Sequence, residues 1–266
     1  MTGAGNMNDT QWYIRSYRCD NGIEYKTKFP VRMTEKVRAS YSRMRTEIRR
    51  AEKGAREARL AMGQELNCTY RVGHDRYMGF DLSDEGLEKI VQRAGSADRD
   101  TLYLALDEWF ANCFVDKTLR RACKKAGVPL TYHWITSDMD GDTHMPVRPH
   151  VHMVINAEAA EIAAQLWKLG GVRNTKLYSH HHGDLQELAD YMIGQVRSFA
   201  GKKRYHPSRN VKKPVCGKPV KARSAEAELV VPKGCEKIFR SEYHVGRPQH
   251  IRYWRPPEAR PEFEDE

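Results

Sequence analysis

Residues 148–156 read Arg-Pro-His-Val-His-Met-Val-Ile-Asn, and His150 and His152 in that run flank a single apolar residue. Along a β-strand successive side chains point to opposite faces, so the two imidazoles share one face while Val151, Met153 and Ile155 share the other and enter a core. Two imidazoles on one strand face make half of a divalent-metal site. Eleven histidines in 266 residues supply roughly 0.45 such pairs by chance, so the spacing decides nothing without the apolar strand that carries it. The pair needs a further ligand; an oxygen donor suits Mg²⁺ or Mn²⁺, and imidazole favours Mn²⁺. Asp138, at the end of the preceding strand, is the best carboxylate candidate, with Asp140 and Asp142 as alternatives from the turn between.

Two other clusters have less claim to a metal. The run Asp138-Met139-Asp140-Gly141-Asp142 looks like the start of a calcium loop, but its glycine falls at position 4 rather than 6, and Pro149 stands where the closing glutamate belongs. His180, His181 and His182 lie in a loop and are read as solvent-exposed. A potential nucleophile comes from the helix that follows. With Leu185 at zero and about 100° per residue, Leu188, Met192 and Val196 fall within about 60° and form a buried face. Tyr191 lies about 120° away, beside Gln195, where a ring edge can pack while the hydroxyl reaches a groove.

The elements that position these residues follow from pattern. Residues 11–18 and 23–31 flank Asp20-Asn21-Gly22 and read as a β-hairpin. Residues 34–66 have a helical pattern, and residues 32–59 carry ten basic and four acidic side chains. Strands are expected at 77–82, 130–138, 148–156 and 172–179. Helices are expected from Ser83, over 99–126, over 158–169 and over 184–199, the last opened by a capping box of Asp184 and Glu187. Residues 197–223 hold ten Lys or Arg and no Asp or Glu, with Pro207, Pro214 and Pro219 among them, and read as a weakly structured basic segment. The tail after Arg255 is Pro-rich, then acidic, and is expected to be disordered. Strands alternating with helices argue for one α+β domain with extensions.

The formal charge of +10 and a pI of about 9.3 favour a polyanionic partner. The first thirty residues hold no long apolar run, and nothing approaches about 18 consecutive apolar residues, so a soluble cytoplasmic protein with no membrane partner is expected. Six scattered cysteines without a C-x-x-C pair indicate neither a disulfide scaffold nor a zinc ribbon.

Three strings then stand in a telling order: Pro149-His150-Val151-His152, Leu188-Ala189-Asp190-Tyr191-Met192, and Ser208-Arg209-Asn210-Val211-Lys212-Lys213-Pro214. Over about residues 60–215 the chain resembles the HUH endonucleases, specifically the single-tyrosine rolling-circle replication initiators of bacterial plasmids, phages and integrated elements. The resemblance implies an RRM-like α+β HUH fold: an antiparallel sheet with the histidine strand central, helices on one face, and an accessory N-terminal hairpin and basic helix. It divides the chain into an accessory region at 1–66, a nicking domain at 67–215 and a partly disordered extension at 216–266.

The resemblance also implies roles. His150 and His152 match the family's metal-binding pair and Tyr191 its nucleophile; Asp138, next to the position of the family's third ligand, remains the carboxylate candidate from the residues themselves. The implied reaction is metal-dependent nicking and joining of single-stranded or origin DNA through a 5′-phosphotyrosine, leaving a 3′-OH to prime a host polymerase. The chain carries no helicase or Walker motif, so strand separation falls to a host helicase. Two positions depart from the family: Gly194 stands where it usually has a lysine, and Ser137 where its metal-binding glutamate aligns. Arg197, Lys202 and Lys203 are candidates for the missing basic partner. Together with Arg204, Arg209, Lys212 and Lys213 they form a segment expected to track the DNA backbone, with Tyr205 and His206 as stacking partners. Mobilisation relaxases and single-tyrosine transposases share this chemistry. A nucleic-acid-binding regulator with a degenerate site is the alternative from another class.

Overall fold

The computed structural model describes residues 10–32, 54–197, 199, 202–224, 228–242 and 248–259. Most of the basic helix expected over 34–66 and most of the tail after Arg255 lie outside the described residues. The chain is α+β with antiparallel sheets, and it divides into two compact units, Glu52–Lys212 and the two chain ends Met1–Ala51 with Lys213–Glu266.

In the unit of the chain ends, β1 (Thr10–Arg18) and β2 (Ile23–Arg32) form the expected hairpin. Gly22 supplies the left-handed backbone of its turn at φ 87°, and Asn21 Oδ1 accepts the Ile23 N–H. A lone hairpin cannot bury a face. Residues from the far end of the chain complete this one, and their pairing requires naming the intervening elements first.

The larger unit begins with α1 (Ala55–Thr69), β3 (Arg76–Phe80) and α2 (Asp84–Ala94). A long helix follows, α3 (Arg99–Trp109), which runs through a π-helical stretch (Phe110–Leu119) into α4 (Arg120–Ala126). Then come β4 (Tyr132–Met139), β5 (Pro146–Ile155), α5 (Ala157–Leu166), β6 (Val172–Lys176), α6 (Gln186–Gly194) and the short β7 (His206–Pro207). The sheet order is β6-β3-β5-β4-β7, antiparallel throughout, with the histidine strand β5 in the centre.

Helices cover both faces of this sheet, where one covered face was expected. Val151, Met153 and Ile155 join Phe80, Trp134, Phe110 and Phe114 in one core, under α2 to α5. Val154 and Ile135, on the histidine side, join Met62 and Leu66 of α1 and Ala189 and Met192 of α6 in a second core. The reason is local: beyond His152 both parities of β5 are apolar, and a strand buried on both sides needs two covers.

The basic segment after α6 is also more ordered than its composition suggests. His206 stacks on Trp134 with ring centroids 3.9 Å apart, Tyr205 stacks on His133 and hydrogen-bonds Glu65, and Ser208 exchanges two hydrogen bonds with Tyr132. Tyr205 and His206 are therefore engaged by the protein itself. Past it, β8 (Val215–Cys216) and β9 (Val220–Lys221) pair with β1, while β10 (Glu236–Arg240) pairs with β11 (Gln249–Trp254), which pairs with β2. The expected extension at 216–266 thus supplies most of four of the six strands of a sheet, and α1 belongs with the histidine sheet rather than with the hairpin.

The helix bearing Tyr191 is shorter than the 184–199 read from periodicity. Its start is set by a different contact from the expected capping box. Asp184 Oδ1 accepts the Gln186 N–H and the Asn67 side-chain amide, and Asn67 Oδ1 accepts the Leu185 N–H, so the last turn of α1 caps α6. One turn away the helices meet over Gly63, where a Cβ would lie 2.0 Å from Gln186 Oε1. Gln186 is itself held by Arg59 O and Asp190. Gly63→Ala should therefore push the Gln186 side chain off Arg59 O and Asp190, offsetting the helix-propensity gain of about 1 kcal/mol that alanine otherwise brings; a full gain of that size in urea unfolding would show that this close approach is not a constraint.

Candidate functional site

Both histidines point from β5 into one cleft and are almost fully buried. The His150 Nδ1–H donates to Arg148 O at 3.0 Å, which leaves its Nε2 lone pair facing His152. His150 Nε2 lies 3.0 Å from His152 Nε2, which lies 3.2 Å from Gln195 Oε1. Neighbouring ligands of an octahedral ion with bonds of about 2.1 Å sit about 3.0 Å apart. His152 Nε2 thus has the spacing of a neighbouring ligand to both His150 Nε2 and Gln195 Oε1, and two imidazole nitrogens with one amide oxygen suit Mg²⁺ or Mn²⁺. Burial above all, then His150, push the His152 imidazole down to about 3, against the opposing effect of the hydrogen bond that Gln195 Oε1 accepts. The ring is neutral at physiological pH, the form that binds metal.

Gln195 sits at the last turn of α6, buried, with its Nε2 toward Tyr191 O. The register of β4 on β5 pairs Ser137 with His150, so Ser137 is the residue on the histidine face, and its hydroxyl donates to Gln195 O. Asp138 is not brought to the histidines. It lies at a break in register between Ser137 and Met139, fully buried, with Oδ2 held by Arg99 at 2.6 Å and Arg197 at 3.1 Å. Asp140 and Asp142 line the cleft, but Asp140 is occupied in closing its own turn with Thr143. Among the described residues no group of three His, Cys, Asp or Glu side chains converges.

Tyr191 stands where α6 meets the cleft, 41% exposed, with its ring centroid 6.0 Å from that of His152. Its hydroxyl fits because residue 141 is glycine; a Cβ there would come within 2.5 Å of Tyr191 Oη. Tyr77, on β3, links the two functions. Its hydroxyl lies 2.6 Å from His152 Nδ1, and Tyr191 is near enough to act on it electrostatically. Burial first, then the proximity of Tyr191, push the Tyr77 phenol far above its ordinary range. Tyr77 therefore keeps its proton and acts as a donor. The cleft encloses about 370 Å³, and Arg148 and Arg173 are the cations in its lining.

Of the expected site residues, the structure gathers His150, His152 and Tyr191 and leaves out Asp138. Arg197 is turned inward, bridging Asp138 and Asp100. Lys202, Lys203, Arg209, Lys212 and Lys213 are exposed and Arg204 half-buried. Sequence reasoning set Gln195 beside Tyr191 but gave it no role; Tyr77 and Arg173 had no signal beyond their strands.

The burial of neutral His152 has a measurable consequence. An unfolded histidine takes up a proton near pH 6.5, whereas His152 in the folded protein resists until about 3, so stability is full above pH 6.5 and falls as the pH drops toward 3. Between pH 7 and 5 this group alone should remove about 2 kcal/mol in urea unfolding with EDTA present, and His152→Gln should lack that increment. Equal pH slopes for the two proteins would refute the burial account. Comparison of the chain with protein-family models, with curated proteins and with solved structures gives no match.

Proposed function

We propose that this protein is a metal-dependent DNA nicking and joining enzyme of the HUH type, built on an RRM-like sheet, that starts rolling-circle replication. The observation that supports it above others is the convergence of His150 Nε2, His152 Nε2 and Gln195 Oε1 in one cleft with Tyr191 at its edge. In this proposal Gln195 replaces Asp138 as the third ligand. A bound Mg²⁺ or Mn²⁺ supplies charge withdrawal from a non-bridging oxygen of the scissile phosphate.

The chain's own groups do the rest. When His152 Nε2 binds the metal it would no longer donate to Gln195 Oε1, and the ring proton would sit on Nδ1 and be donated to Tyr77 Oη. Tyr77, whose phenol lies near Tyr191, would then be free to turn its proton toward Tyr191 Oη and steady developing phenolate charge. A phenol titrates near 10 and needs such help to attack at neutral pH. The Oη–P bond forms as the P–O3′ bond breaks, the phenol loses its proton, and the departing O3′ gains one. The products are a 5′-phosphotyrosine and a free 3′-OH, and attack by that hydroxyl on the phosphotyrosine reverses the step and rejoins the strand. One tyrosine gives one covalent link at a time. The exposed Lys202, Lys203, Arg209, Lys212 and Lys213 follow α6 and suit a strand leaving the cleft. A host helicase and polymerase complete the process.

Incubation with Mn²⁺ and a random-sequence pool of 3′-labelled single-stranded DNA should yield a denaturant-resistant protein–DNA adduct that Tyr191→Phe abolishes. DNA binding without an adduct under Mg²⁺ or Mn²⁺ would favour the non-enzymatic regulator. Gln195→Ala should weaken Mn²⁺ binding, followed by calorimetry, about tenfold or more, and the paired change His150→Ala with His152→Ala should abolish it. Unchanged affinity in Gln195→Ala would remove the amide from the ligand set.

A further inference from the structure

The register of the larger sheet sets three residues side by side across three strands: Arg173 on β6, Gly79 on β3 and His152 on β5. Directly paired residues share a face, so Arg173 belongs to the histidine face. Between it and His152 the row is open, because residue 79 carries no side chain. The guanidinium lies in that gap: a Cβ on Gly79 would meet Arg173 Nε at 3.2 Å and Nη2 at 3.5 Å. Asp81, the first residue past the end of β3, holds it from one side with Oδ1 at 3.5 Å. Arg173 and Asp81 both line the cleft with His150, His152 and Tyr191. The other cation there, Arg148, is committed to Leu82 O and Asp84. Arg173 has one long contact and a side chain two-thirds exposed.

We propose that Arg173 is the phosphate-binding residue of this cleft, gripping a non-bridging oxygen of a nucleic-acid phosphodiester across the gap that Gly79 leaves open. A diester brings two non-bridging oxygens and one negative charge. One oxygen faces the three ligand atoms of His150, His152 and Gln195; the other faces a planar, permanently charged fork suited to phosphate. Gly79 has no turn to make within β3, and a glycine inside a strand marks close approach of another group. Asp81 orients the guanidinium between substrates. The inference rests on the nicking chemistry proposed above for the identity of its ligand.

The test uses full-length protein carrying Tyr191→Phe, which cannot form the covalent link, and follows binding of random-sequence single-stranded DNA by fluorescence anisotropy with and without Mn²⁺. Mn²⁺ should raise the affinity of this protein. Arg173→Met should shrink that metal-dependent gain about tenfold or more, while Mn²⁺ affinity measured without DNA stays within twofold of the parent. Gly79→Val keeps the charge and fills the gap, and should reproduce the loss; thermal unfolding of both variants identifies any that fail to fold. A second arm, with Tyr191 restored, follows the adduct, whose rate of formation should fall about a hundredfold in Arg173→Met. An unchanged metal-dependent gain in Arg173→Met overturns the proposal, as does a parent protein that shows no such gain. If the gain depends on Arg173 but no adduct forms in any protein, the phosphate site stands and the nicking chemistry falls.

Discussion

The organisation of the larger unit depends on one constraint: β5 is the central strand of its sheet and is buried on both faces. A strand edge position could have left one parity of side chains in water. Here every residue from Pro149 to Ile155 must satisfy a packed environment, and alternation divides them into an apolar set on one side and a set on the other that is polar at His150 and His152 and apolar at Val154. Helices on both faces follow, because neither set can be left uncovered. The polar positions then fall at the end of the strand where the second helical layer is incomplete, and the cleft is that incompleteness.

Burying two imidazoles imposes a second requirement, that their nitrogens find partners inside the protein. Three of the four ring nitrogens meet a named neighbour outside the pair: Arg148 O, Tyr77 Oη and Gln195 Oε1. These contacts fix ring orientation, and orientation makes the pair more than two nearby histidines. The same low-dielectric surroundings that drive His152 to neutrality also keep the proton on Tyr77. One physical cause prepares a ligand and a hydrogen-bond donor together.

What the sequence disclosed follows the range of the forces involved. The histidine strand, the hairpin and the placement of Tyr191 at the rim of an apolar helix face rest on local pattern, whereas the central place of that strand was expected from the family resemblance; the structure has all four. The position of Asp138 required more than periodicity. Its carboxylate chemistry argued for the metal, whereas its parity, and the break in register next to it, turn it toward Arg99 and Arg197; Ser137 has the right face and the wrong chemistry. Gln195 lies one turn beyond Tyr191, and that adjacency was readable. Its role was not, since a role requires knowing how α6 is docked. The strands of residues 215–254 escaped because they are short, polar in pattern and paired with partners some 200 residues away.

That docking is itself remote from the cleft. α6 takes its first turn from Asn67 and its lateral position from the approach over Gly63, both on α1, while Tyr191 and Gln195 emerge at its other end. A helix of nine residues held at its first turn acts as a lever, and a small shift at Gln186 is carried along its length to the tyrosine and the amide ligand. The cleft therefore draws on β4, β5 and β6, on the chain just after β3 and on one helix, α6, which is itself placed by contacts made elsewhere. Substitutions on α1 that never approach the histidines should be expected to act on them, through α6, as strongly as conservative changes within the cleft itself.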